Sequence, residues 1–221
     1  VDLAALRLSL LLATLTTLAL LVIGLLLAHW LTTTRRRWKI LVEAVVALPL
    51  VLPPTVLGFY LLVSFGPHSP LGRAFVKVTG HTLAFSFEGL LLASILFSLP
   101  FAVQPFAAAL ARVDRRLVEA SYTLGESRLQ TFWRVSLPLS LPGVIAGAVL
   151  TFAHTLGEFG VVLMVGGNVP GSTRTLSISI FDAVEQLDYA AAGRTSLFLL
   201  AVSFAVLVLT YALQRRSLLG G

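Results

Sequence analysis

A chain of 221 residues that is 57% hydrophobic and only 12% charged does not read as a soluble domain, in which about a quarter of the residues would be charged. It contains no cysteine, which excludes disulfides, thiol catalysis and cysteine-based metal sites. The net charge of +6 sits mainly in loops, where it speaks of orientation in a bilayer rather than of nucleic acid.

The apolar excess points to an all-α, polytopic bundle of membrane-spanning helices in one domain, 1–221. The sequence opens on Val1, so an initiator Met and a few further residues are expected ahead of it. The first span is expected at about 8–29. Its apolar run is too long for a secretory signal, and no A-x-A cleavage site precedes "RRRWK", so it reads as a retained helix. The second is expected at about 40–65, interrupted by Pro49, Pro53 and Pro54. Proline kinks a helix and frees a carbonyl that lipid cannot satisfy. Pro53 and Pro54 are therefore either a bend for packing or the hinge of a helix lining a pathway. The third span is expected at about 83–110 and the fourth at about 139–165.

Between these two lies the most polar long segment, 112–138. Apolar Leu117, Ala120, Tyr122, Leu124 and Leu129 alternate there with charges, and Gly125 interrupts them, so two short helical pieces with a bend are expected. After the fourth span, "GGNVPGSTRT" reads as a turn-rich loop and 176–190 as a short re-entrant or interfacial helix. The last span is expected at about 195–213, which makes about five.

Eleven of the sixteen Lys and Arg residues fall on one side of this plan: Arg35, Arg36, Arg37, Lys39, Arg112, Arg115, Arg116, Arg128, Arg134, Arg215 and Arg216. Arg7, Arg73, Lys77, Arg174 and Arg194 fall on the other. The richer side is expected to be cytoplasmic. The N-terminus is then outside, the C-terminus inside, and the polar segment in the cytoplasm.

Within that segment Glu119-Ala120-Ser121 is followed by Gly125, nine residues, and then Val135-Ser136-Leu137-Pro138. This resembles the EAA loop of ABC importer permeases, with Ser121 in place of the second Ala. "LPLVLPPTVLGFYLLVSFG", "LPLSLPGVIAGAVLTFAHTLGEFG" and "NVPGSTRTL" extend the likeness over most of the chain, to the permease subunits of molybdate transporters and their tungstate and sulfate relatives. The resemblance implies a homodimeric pathway for a tetrahedral oxyanion in the inner membrane of a prokaryote. It also implies an external binding protein that delivers the anion and two cytoplasmic ATPase subunits that receive the EAA loops. Glu119 would supply a charged contact or helix cap, Ala120 and Ser121 close approach, Leu124 a neighbouring contact, and Gly125 the turn. The chain has no G-x-x-x-x-G-K-[ST] phosphate loop. No cofactor is expected in it, and ATP with its magnesium is expected in the partner subunit.

In the fourth span His154 and Glu158 stand four apart, a spacing that would put them on one helix face within reach of each other. A carboxylate repels an oxyanion, so Glu158 is expected to order the helix rather than touch substrate, by pairing with His154 or with a basic group elsewhere. Gly143 and Gly147 form G-x-x-x-G, which suits close helix packing within the chain or near a dimer axis. No catalytic constellation and no metal-ligand spacing is present, so an intramembrane enzyme is disfavoured.

Overall fold

The computed structural model describes residues 2–219; the side chains of Arg215 and Arg216 lie outside the described residues. The described residues form helices and the loops between them. The first, α1 (Leu3–Thr33), is capped by Asp2, whose carboxylate accepts from the N–H groups of Ala4 and Ala5. A basic turn leads to α2 (Lys39–Val51), which contains Pro49 without breaking, and then to α3 (Pro54–Phe65). After α4 (Pro70–Thr79) comes α5 (Phe87–Ala111), which absorbs both Pro100 and Pro105.

The polar segment forms α6 (Arg115–Thr123) and α7 (Arg128–Thr131), then a π-helical turn, Phe132–Ser136, that runs into α8 (Leu137–Gly157). The rest comprises α9 (Gly160–Gly166), α10 (Leu176–Glu185) and α11 (Tyr189–Leu219). Among the described residues, four helices can cross a membrane by length and composition, or five if α2 and α3 count as one broken span.

The core is a three-helix packing of α1, α5 and α8, built on small residues. Phe106 of α5 is fully buried and lies between two glycines. A methyl on Gly24 of α1 would stand 3.2 Å from one edge of the ring, and a methyl on Gly147 of α8 would stand 2.8 Å from the other. Gly143 faces Ala109 one turn away. The G-x-x-x-G pair therefore packs within the chain, against α5.

Two of the expected spans are broken, the second at its prolines and the fourth where no break was expected. Between α2 and α3 the axis turns by 111°. Pro54 disfavours helical backbone at the residue before it, and Pro53 accordingly sits at ψ 135°, preceded by an extended Leu52. The fourth span stops at Gly157: Glu158 is extended, at φ −70° and ψ 138°, and a new helix starts at Gly160. The two breaks meet in space. Gly160 lies against Pro54, Gly58 lies against Met164 and Val161, and α3 and α9 run side by side in the same direction. Both end on one loop, where Ala84 donates to the Phe65 carbonyl and Phe85 to that of Val165. Phe85 holds a left-handed φ of 62° to do so. Helix α9 is enclosed, with Val161, Val162 and Val165 fully buried.

Candidate functional site

At the basic end of the bundle the polar segment folds into a compact knob. Asp114 caps α6 by accepting from Arg116 N–H, and Ser127 with Gln130 forms a reciprocal capping box on α7. Helix capping of α6 thus falls to Asp114 and not to Glu119, which is exposed on the helix surface. Gly125 takes φ +85° between the two helices, a conformation that costs most side chains energy, and its N–H donates to the Tyr122 carbonyl. Ser121 is buried, and its hydroxyl is 2.9 Å from that of Thr131, also buried. The one departure from the expected motif therefore ties α6 to α7. Glu126 and Arg134 close the knob with an ion pair.

The outer surface of the knob is apolar where water would be expected. Leu124 is 84% exposed, and Leu117, Tyr122, Leu129 and Trp133 are exposed with it. They sit among Arg112, Arg115, Arg116, Glu119 and Arg128, all at the surface. The knob is anchored behind by Phe132, which is buried and packs against His29 near the end of α1, ring centroids 4.5 Å apart and planes tilted by 53°. The knob is thus joined directly to α8, through the π-helical turn, and to α1.

The polar residues of the fourth span lie elsewhere and do not form the expected pair. His154 is stacked on Phe101, ring centroids 3.6 Å apart, and flanked by Phe97. Glu158 has left the helix, so the four-residue spacing no longer places it beside His154. Its carboxylate accepts from Val161 N–H at 2.8 Å and caps α9, while the hydroxyl of Ser177 on α10 donates to its backbone carbonyl. Pro53 and Pro54 are exposed, with Pro54 packed against Gly160 at the same junction.

Several contributors carried no sequence signal. The Ser98–Thr155 hydroxyl pair, 2.9 Å apart, joins α5 to α8. Arg174, Asn168 and Asp182 interlock the loop before α10 with that helix. Single polar residues in apolar helices give no pattern from which such pairings can be read. Among the described residues, no group of three or more His, Asp or Glu is placed to hold a metal ion.

A bundle with a broken pair of spans and a polar helical knob at one end is the fold of ABC transporter membrane subunits. It superposes on the crystal structure of a bacterial ABC transporter involved in the import of the acidic polysaccharide alginate with a TM-score of 0.78 and 17% identity, covering 96% of this chain and 78% of that one. On an inward-facing structure of the MetNI methionine ABC transporter the TM-score is 0.73 at 19% identity, covering 96% and 94%. The chain belongs to the family of binding-protein-dependent transport system inner membrane components, whose model matches residues 8–217. It is 52% identical to the molybdenum transport system permease protein ModB of Azotobacter vinelandii over 97% of this chain and 95% of that protein. It is 40% identical to the protein of the same description from Escherichia coli K12, over 77% and 74%. The probable sulfate transport system permease protein cysT of Chlorokybus atmophyticus is 34% identical over 76% of this chain and 59% of its own length.

Proposed function

We propose that this chain is the permease subunit of an ATP-driven importer for a tetrahedral oxyanion, molybdate first, with tungstate or sulfate as the alternative cargo. The observation that carries the transport reading is the knob: a rigid, capped helical pair in a charged segment, holding exposed leucines outward with no pathway or catalytic role of their own. A groove on a separate ATPase subunit is what would cover them. The extensive identity to molybdenum permeases supports the choice of anion. Two copies of the chain, each a single transmembrane domain, enclose the pathway. Two ATPase subunits with ATP and magnesium grip the knobs, and an external binding protein delivers the anion. The assembly lies in the inner membrane of a prokaryote. The distribution of Lys and Arg supports an outer N-terminus and a cytoplasmic knob and C-terminus.

Access alternates as nucleotide binding draws the two knobs together and the helices behind them shift as near-rigid bodies. In this reading the helix discontinuity at the paired breaks, Pro53–Pro54 and Glu158–Gly160, lies next to the pathway. There backbone N–H groups and hydroxyls act as weak donors to a passing anion, with affinity residing in the binding protein. The test is uptake of labelled molybdate by vesicles holding the complete reconstituted transporter. Accumulation should require ATP and the binding protein, and tungstate should compete better than sulfate. Uptake that sulfate abolishes and tungstate leaves intact would refute the assignment of cargo. Orientation is tested separately, since the chain lacks cysteine. A single cysteine at Leu124 should react with an impermeant thiol reagent only from the cytoplasmic side, and one at Lys77 only from outside.

A further inference from the structure

We propose that the groove between α1, α2 and α5 at the basic end is a binding site for one anionic phospholipid. The groove has a volume of about 490 Å³, within the range of about 300–1,000 Å³ typical of small-molecule sites. Leu31, Val46, Val103, Ala107 and Ala108 make its wall apolar. Four polar residues, Thr32, Lys39, Glu43 and Gln104, interrupt that wall at two levels, which match the phosphate and the esters of a phospholipid.

At the mouth stand Lys39 and Thr32, with Glu43 paired to Lys39 at 3.4 Å. Arg35, Arg36 and Arg37 lie two to four residues before Lys39, and Arg112 immediately follows the groove residue Ala111. The three ion pairs among the described residues leave these four arginines without a carboxylate partner. The mouth is therefore cationic even with Glu43 counted. Trp30 and Trp38 pack beside it, ring centroids 4.8 Å apart and planes tilted by 44°, with Trp38 exposed, and amphipathic indoles of this kind settle at the headgroup level. One step deeper is Gln104, exposed on the α5 wall. It lies seven residues before Ala111, about 10 Å along the helix. An exposed amide at that depth needs a polar partner that acyl chains cannot offer, and the ester carbonyls of a lipid can. The lining ends about one residue beyond it, at Ala47 and Val103, from where the acyl chains pass into the bilayer.

The occupant is thus a lipid whose phosphate lies on Lys39 and the flanking arginines, whose glycerol backbone fills the groove down to the esters at Gln104, and whose chains continue along the bundle surface. The experiment is native mass spectrometry of the assembled transporter after equilibration in nanodiscs of phosphatidylcholine with a third phosphatidylglycerol. Retention of about one phosphatidylglycerol per permease chain, in preference to phosphatidylcholine, is expected. Ala108→Phe should abolish retention by filling the groove. Lys39→Ala should weaken it about fivefold, the effect of one basic residue at an anionic surface. Gln104→Leu, at an exposed position that the fold tolerates, should weaken it as well and serves if Ala108→Phe does not assemble. Equal retention of both lipids would overturn the proposal, as would retention unchanged in Ala108→Phe and Gln104→Leu. So would an Ala108→Phe transporter whose two permease copies separate while lipid binding persists, because the groove would then hold a helix of the second copy.

Discussion

Adding one carbon to the core at Gly147 tests how tightly the bundle is built. A Cβ there would stand 2.8 and 2.9 Å from two ring carbons of Phe106 and 2.9 Å from the Pro105 side chain, where about 3.5–4.0 Å is comfortable. The ring has little room to retreat, because the gap between its far edge and Gly24 could not take even a methyl without a contact of 3.2 Å. Overpacking of this kind costs about 1–3 kcal/mol. Alanine also favours helix over glycine by about 1 kcal/mol, which offsets part of the loss. Gly147→Ala should therefore destabilise by a net amount of about 1 kcal/mol, or about 2–4 °C in Tm for a chain of this size. Gly193→Ala in α11 is the matched control. Nothing lies within 4 Å of the added methyl, so only the propensity gain applies and Tm should rise by about 2–4 °C. The assay is thermal unfolding of the purified transporter, followed as loss of the monodisperse species. If Gly147→Ala matched or exceeded the parent while Gly193→Ala rose as expected, the rigid wedge around Phe106 would be disproved.

Ser121→Ala should cost about 1–3 kcal/mol by leaving the Thr131 hydroxyl buried without a partner, and the added Thr131→Val change should recover most of it, read by the same unfolding assay. Gly125→Pro cannot adopt φ +85° and loses the N–H bonded to Tyr122, so ATP-dependent uptake should disappear while Gly125→Asn keeps most of it; uptake intact in the proline variant would remove the knob from the mechanism. Glu158→Gln keeps a carbonyl oxygen to accept from Val161 and should leave Tm within about 1 °C, whereas Glu158→Ala should cost about 1–2 kcal/mol of cap energy. Loss of anion discrimination in an otherwise stable Glu158→Gln transporter would instead place that carboxylate on the pathway.

The long helices α1, α5, α8 and α11 were legible because uninterrupted apolar length has few solutions in a bilayer. The bend at Gly125 was legible because glycine in a polar helical pattern marks a turn. The breaks were less so. Pro49, Pro100 and Pro105 all remain inside helices, and only the Pro53–Pro54 pair ends one, so a lone proline does not say where a span divides. The 111° turn itself follows from α3 packing along α9, a long-range fact. At Glu158 the sequence misled, since a four-residue spacing implies contact only if the helix continues. Gly157 and Gly160 on either side of Glu158 were the available hint. Helix α4 carried its own signal, Ser69 as cap with Pro70 at the first position, but is too short to register among spans. The π-helical turn has no sequence signature in Phe132–Ser136.

From Arg128 to Gly157 the chain is a single rod of 30 residues, about 45 Å by its rise, and at Glu158 it stops being one. What lies beyond is fastened to other neighbours: α9 to α3 along its length, and both to the loop at Ala84 and Phe85. A push delivered at the knob therefore has full leverage up to the junction and reaches α9 only through an articulated joint. The near half of the molecule can swing while the far half keeps its own seating, so the two ends of the bundle need not open and close by the same amount or at the same moment.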